Sequence, residues 1–322
     1  MNRRNFSRML ALLAVSPNQS FGNINKKDRI VVIGAGIIGS SIAYHLTKMG
    51  AEVTVIERDL PAAHASGKNF GWLHASYPTK PFSFHHLLKL SLLAYQNLET
   101  EIDIDIHWGG SFEWSASKEN QKILTKEIEI QQGYGVPISM INGKQAHELE
   151  PNVEFDEEIS IAFSKLDGAV DANEVVKKLL KKTISHGGRV LYPVTYKNIK
   201  TKNGKIAAVK TSVGEIEADQ VVFACGGDTD ELLKIDILNK SKPEIILRTQ
   251  PMKKIINRVI VHPSFHIHQQ KNGVVTIGAT NPMADTSVGN LQGAPISHSD
   301  RLALMPEVFP DVALEKRHAE MI

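Results

Sequence analysis

Apolar and polar positions follow three rhythms along the chain. Arg29 to Ile33, Val53 to Ile56 and Gln220 to Ala224 are short runs dominated by apolar, β-branched residues. Such runs predict strands buried on both faces. Between the first two, Ile38, Ile42, Ala43 and Leu46 recur at helical spacing, and Gly50 stands where that helix would end. The same spacing predicts helices over 83–99 (Leu87, Leu88, Leu92, Tyr95 and Leu98 largely on one side), about 118–132, 172–186 and about 300–307. The third rhythm has period two. It predicts two strand pieces in 102–114 broken by Gly109-Gly110, then strands at 189–192, 194–200, 205–211 and 215–218. Lys202-Asn203-Gly204 is a hairpin signal. Residues 243–257 and 258–278 read as further strands, and Phe265 to Gln270 alternates strictly before turning at Lys271-Asn272-Gly273. One face of that hairpin carries His266, His268 and Gln270.

The first strand runs straight into Gly34-Ala35-Gly36-Ile37-Ile38-Gly39, and the second ends at Glu57-Arg58. This is the G-x-G-x-x-G pattern with strand, helix, second strand and terminal acid all in register. Gly34 suits a tight turn, Gly36 lets a pyrophosphate approach the backbone, and Gly39 lets helix and strand pack closely. The helix N-terminus offers free N–H groups and a positive dipole end, and Glu57 falls where a carboxylate accepts from an adenosine ribose. An acid there, rather than a base, argues against a 2′-phosphate. Ala35, Ile38 and Arg58 belong to the same candidate cofactor site. The motif alone does not separate NAD from FAD, and a purely structural glycine turn is the competing reading.

At 322 residues the chain has room for about two domains. A net charge of +2 gives no reason to expect a nucleic-acid partner. Cys225 is the only cysteine, which excludes an intrachain disulfide and a cysteine-based metal site. It lies within a strand and reads as a small buried hydrophobe. Thirteen histidines show no metal-ligand spacing, so no metal is expected. Near the start, Arg3-Arg4-Asn5-Phe6 precedes a short apolar run, Met9 to Val15. This resembles a twin-arginine signal, and it makes a periplasmic or extracytoplasmic destination the expectation, with a basic cytoplasmic tail as the alternative.

After the second strand comes His64-Ala65-Ser66-Gly67-Lys68-Asn69-Phe70-Gly71-Trp72-Leu73-His74. Ser66, Gly67, Asn69 and Gly71 match a serine-glycine-x-asparagine-x-glycine segment, and the chain there resembles the FAD-dependent D-amino-acid oxidase superfamily. That group includes glycine oxidase, sarcosine oxidase and D-amino-acid dehydrogenase. In it this segment wraps the flavin, and small residues suit a backbone laid against a flat ring. Ser139 to Pro151, including Asn142 and the run Gln145 to Pro151, resembles the family's short helix before a Glu-Pro. Ala224 and Gly226 match its second flavin contact, a strand ending in Ala-x-Gly, and Val194 matches the position whose backbone meets the adenine.

The resemblance implies an α/β fold: a Rossmann-like, discontinuous FAD-binding domain beside a mixed, largely antiparallel substrate sheet. The expected division is a signal and linker over 1–27, FAD-binding parts at 28–82 and 151–235, substrate parts at 83–150 and 236–297, and a final segment from 298. It implies oxidation of a small amine or amino acid, with hydride passing to the flavin and oxygen or a respiratory carrier as the electron acceptor. His74 and His268 are the candidate catalytic residues; Ser66, Asn69, Gly71 and Trp72 join the FAD contacts. Family members continue with a tryptophan-glycine-x-arginine-proline segment and a closing helix. No such segment occurs here, and Arg317 does not fit it. This makes a truncated or impaired flavin-binding remnant, or a partner chain that completes the FAD domain, an expectation to hold beside the oxidase. An NAD-dependent dehydrogenase is the third reading, and it has no need of Ser66 to Gly71.

Overall fold

The structure is a computed structural model, and it describes residues 28–76, 80–115, 117–236, 245–262 and 265–279. Arg3, Arg4, the predicted 300–307 helix and Arg317 lie outside the described residues. In chain order the elements are β1 (Arg29–Ile33), α1 (Ile37–Lys48), β2 (Glu52–Ile56), β3 (Trp72–Leu73), α2 (Phe82–Ile102), β4 (Ile106–His107) and β5 (Ser111–Glu113). There follow α3 (Lys118–Gly133), β6 (Ile138–Asn142), α4 (Gly143–Leu149), β7 (Ser160–Ser164), β8 (Gly168–Val170), α5 (Ala172–Ser185) and β9 (Arg189–Leu191). The remainder is β10 (Tyr196–Lys202), β11 (Lys205–Thr211), β12 (Gly214–Glu217), β13 (Gln220–Phe223), α6 (Thr229–Leu233), β14 (Ile246–Arg248), β15 (Val259–Val261), β16 (Phe265–Gln269) and β17 (Val275–Ala279).

The nucleotide half is a parallel sheet in the order β13-β1-β2-β9. Its strands are largely apolar because both faces are covered. Ile30 and Val32 of β1 face α1 and α5, packing with Ala43, Val53, Val176 and Leu180. Val31 and Ile33 face the other way, onto the antiparallel meander β10-β11-β12 through Tyr196, Val209 and Ile216. On α1 it is Ile37, Ile42 and Leu46 that pack on this core, whereas Ile38 is 66% exposed. The helical phase therefore sits one residue earlier than the sequence pattern indicated at that turn. A small sheet, β3-β8-β4, lies under α2, where Tyr95, Leu98 and Ile102 meet Ile106, Val170 and Leu179.

The second half is a sheet in the order β14-β17-β16-β15-β5-β7-β6, antiparallel except where β15 runs parallel to β5. Helix α3 covers one face through Ile128 beside Ala162 and Ile138, and α4 covers the other through Ala146 beside Phe112 and Ile161. Three local results differ from the sequence expectation. Residues 138–142 form β6, and the helix before Glu150-Pro151 is only Gly143–Leu149, opened by a capping box between Asn142 and Gln145. The next strand of this sheet, β7, extends it to Ser164, past the expected crossing at residue 150. Residues 249–257 form no strand beyond the first contacts of β14. There the buried side chain of Gln269 replaces a strand neighbour, accepting from the Ile255 and Ile256 amides and donating to the Lys253 and Gly273 carbonyls.

Candidate cofactor and substrate site

The three motif glycines do three different jobs. Gly34 has φ +108°, and a side-chain carbon on it would stand 2.4 Å from the Ala224 carbonyl oxygen. A side chain on Gly39 would meet the Gly34 carbonyl oxygen at 1.9 Å. Both are held by packing of β1, α1 and β13. Gly36 is different: its backbone is ordinary extended, and a side chain there would meet only the Ser66 Oγ, at 3.0 Å. Among the described residues, Ser66 alone lies within 4 Å of that position. The N-terminus of α1 has no side-chain cap and no acidic residue in its first turn, and the Ile37 amide donates to Ser66 Oγ at 3.0 Å. That donor set fits a diphosphate.

Glu57 is buried at the end of β2. Its carboxylate accepts from the Ala35 amide at 2.9 Å and the Asp59 amide at 3.0 Å. These bonds fix an acceptor-only group at the edge of the cradle, as a ribose requires. The Val194 amide donates to the Glu57 carbonyl oxygen at 2.6 Å, which leaves the Val194 carbonyl as its remaining backbone polar group. Arg58 crosses the cradle to Asp228 at 2.5 Å. The Ala224 amide donates to Ile33, while Gly226 is exposed with φ +57° and open space around it. Cys225 donates its thiol to the Ile33 carbonyl, and burial pushes that thiol up to about 11, so it is inert.

The segment 66–74 leaves the cradle and is then held from the substrate sheet. Arg248 on β14 donates to the carbonyl oxygens of Gly67 (2.9 Å) and Asn69 (3.1 Å). His268 on β16 donates from Nε2 to the Phe70 carbonyl at 2.7 Å, and the Phe70 ring meets His266 and His268 edge-on. His268 is 0% exposed, and burial pushes it down to about 4. It is a neutral clamp on the loop rather than a group presented to a substrate. Gly71 has φ +82° and lies so close to Val170 that a side chain would reach its carbonyl at 2.2 Å. The Trp72 indole donates to Asp167, which also accepts from Ser111 and Ser164. His74 stacks on Trp72 with ring centres 3.9 Å apart, and its Nδ1 is 3.1 Å from Ser76 Oγ. Burial pushes His74 down to about 4, so it is neutral at pH 7.

Arg248, Asp167, Ser111 and Ser164 carry no motif, and their partners lie 56 to 181 residues away except within the Ser164–Asp167 pair. Only a cluster of small hydroxyl residues flanking a lone buried acid could have marked them. Burial pushes Asp167 up to about 6 despite its three donors. Asp167→Ala is expected to lower stability by about 3 kcal/mol, because three buried donors lose their acceptor, whereas Asp167→Asn keeps an acceptor and costs about 1 kcal/mol. The sign of the pH effect follows from the raised value. The folded protein binds this proton more tightly than the unfolded chain, so the contribution is fully present below about pH 4 and is lost as pH rises to about 6. Melting curves across that window test both points, since the asparagine variant lacks this pH dependence.

A dinucleotide cradle whose exit loop is clamped by an antiparallel sheet defines a class of two-domain, nucleotide-dependent oxidoreductases. The chain belongs to the FAD dependent oxidoreductase family, whose profile matches residues 29–319, and FAD is its cofactor. It is similar to glycine oxidase of Bacillus licheniformis, 26% identical over 279 residues that cover 81% of this chain and 72% of that protein. It is 23% identical to mitochondrial dimethylglycine dehydrogenase of Rattus norvegicus, spanning 77% of this chain but only 31% of that longer protein. Among solved structures, L-proline dehydrogenase from P. horikoshii superposes with a TM-score of 0.70 at 26% identity, covering 79% of this chain and 70% of that one. Glycine oxidase from Bacillus cereus superposes at 0.69 and 22% identity, over 82% of this chain and 76% of that one.

Proposed function

We propose that the protein oxidises the C–N bond of a small amine or amino acid, with FAD as the two-electron acceptor. The observation that carries this reading is the double grip on residues 66–74. One end is tied to the nucleotide cradle through Ser66, and the carbonyls of Gly67, Asn69 and Phe70 are tied to the substrate sheet. An NAD enzyme has no use for a second, sheet-clamped glycine segment beyond the ribose-binding acid. A flavin enzyme needs it, because a ring must be held flat while substrate reaches one side.

The chain's own contribution is orientation and exclusion of water, since the cofactor supplies the electron-accepting chemistry. Gly36, Ile37 and Ser66 hold the diphosphate, Glu57 the ribose, and the backbone of Asn69 to Trp72 the ring. In this reading His74, neutral and stacked on Trp72, serves the substrate as a polar neighbour rather than a charge. The similarity to glycine oxidase supports an amino-acid substrate.

The test is anaerobic bleaching of the visible flavin spectrum by a panel of amines and amino acids. Air or a quinone is admitted afterwards to identify the acceptor. Bleaching by at least one member, faster than about 0.1 s⁻¹, is the expected result for an enzyme of ordinary turnover. A flavin-loaded protein that no member bleaches is a binding remnant, and the oxidase reading fails.

A further inference from the structure

A cavity of about 520 Å³ opens beside the segment just described, within the size range of small-molecule sites. Its walls are the end of β5 (Glu113 to Ser115), α3 (Asn120, Leu124, Glu127, Gln131) and Ser76. It adjoins the proposed site twice. Ser76 is bonded to His74, and Glu113 lies two residues along β5 from Ser111, on the same face of the strand, where Ser111 and Trp72 share Asp167.

Its polar atoms are mainly acceptors. Glu113 is half-buried, and among the described residues no cation pairs with it. Gln131 is 1% exposed, and its Oε1 is a buried acceptor without a hydrogen-bond partner among the described residues. An orphaned buried amide oxygen is costly unless a donor arrives. Ser76 and Ser115 add hydroxyls. Lys80 is the one basic residue in the lining, and it is exposed. A carboxylate, an amide oxygen and two hydroxyls match an alkylammonium, which has three donors and no acceptor.

We propose that this cavity binds a second, unreacting ammonium group of the substrate, through the Glu113 carboxylate and the Gln131 amide oxygen. The inference rests on the amine-oxidation reading above and narrows its substrate class to diamines or amino acids with a basic side chain. The reacting amine is excluded as the occupant by its chemistry. An amine must be neutral to give up a hydride from its α-carbon, and a facing carboxylate holds it protonated. A distal ammonium gains from the same carboxylate without that penalty.

Burial, then the nearby Asp167 charge, pushes Glu113 up to about 7. The other charged groups around the cavity are Glu127 and Lys80. Cation binding should therefore strengthen as pH rises from about 6 to about 8, as Glu113 ionises.

The test titrates FAD-loaded protein with n-butylammonium, n-butanol and butyrate, followed by calorimetry. Butylammonium is expected to bind, and to bind at least tenfold more weakly to Glu113→Gln and to Gln131→Leu, with partial retention in Glu113→Asp. A melting temperature within a few degrees of the parent confirms that each variant is folded. Equal affinity in folded Glu113→Gln, or a preference for butyrate abolished by Lys80→Gln, overturns the proposal. With oxidisable substrates, the ratio of kcat/KM for a diamine over the monoamine of equal length should fall in Glu113→Gln. If butylammonium binds as expected yet no amine bleaches the flavin, the oxidase reading fails and the cation site stands.

Discussion

Replacing Gly36 with valine should leave a folded protein without flavin. The backbone at Gly36 has φ −77° and ψ −177°, a conformation open to any residue, and the new side chain meets only the movable Ser66 hydroxyl. The sheet and α1 are therefore expected to form normally. The isopropyl group then stands where the diphosphate must approach the α1 amides. Affinity for FAD should fall at least about 100-fold, roughly 2.7 kcal/mol. Gly39→Val is the contrasting variant. Its side chain would run into the Gly34 carbonyl oxygen, which is backbone and cannot move aside, so the strand–helix unit itself should fail. Visible absorbance and a thermal melt on both proteins separate the two mechanisms. Full flavin content in Gly36→Val would overturn the assignment of the cradle.

Glu150→Ala should be the most damaging substitution in the substrate half. Glu150 is 0% exposed and accepts from the Asn257 amide, the Asn257 side chain and the Arg258 guanidinium. Arg258 also donates to the Gly109 and Leu149 carbonyls and lies over the rings of Phe112 and Phe163. This group fastens β15 to β5, the single parallel junction in the seven-stranded sheet. Burial pushes Glu150 up and Arg258 down, so the two charges hold each other against desolvation. Removing one partner strands the other and should cost about 3–5 kcal/mol. Replacing both at once, as Glu150→Leu with Arg258→Met, should recover part of the loss, because no lone buried charge remains, while the Asn257 amide and the Gly109 and Leu149 carbonyls still lose their partners. Denaturant unfolding of the single and double variants gives the coupling directly, and strict additivity would refute the pairing argument.

The nucleotide half was legible in the chain because its signals are local. Arg29 to Glu57 is one strand–glycine–helix–strand–acid unit, and the contacts that join its own parts span about thirty positions or fewer, while β13 and β9 flank it from far along the chain. The pairing of Ala35 with Glu57 and of Ile37 with Ser66 follows that short range. The substrate half was legible only as strands. Its sheet order joins β5 to β15, whose residues are 148 positions apart, and period-two alternation carries no information about which strands become neighbours. For the same reason 249–257 reads as strand by composition, yet it is held as irregular backbone by one glutamine side chain from β16.

The histidines mark the boundary between the two kinds of knowledge. The alternation around Phe265 to Gln270 correctly set His266 and His268 on one face. What that face meets was decided by the fold, which brings Phe70 against it and buries His268 as a neutral donor to the Phe70 carbonyl. Glu113 is the reverse case. In the sequence it is one acid in a short aromatic strand, and its place in one cavity wall with Gln131 exists only in the folded chain. The sequence by itself indicated a dinucleotide motif and the strand faces, because those depend on residue type and spacing, and it pointed to FAD rather than NAD only through the family resemblance. Only the tertiary structure decided which buried polar groups clamp the loop and which remain open to a substrate, because burial is a property of neighbours distant in the chain.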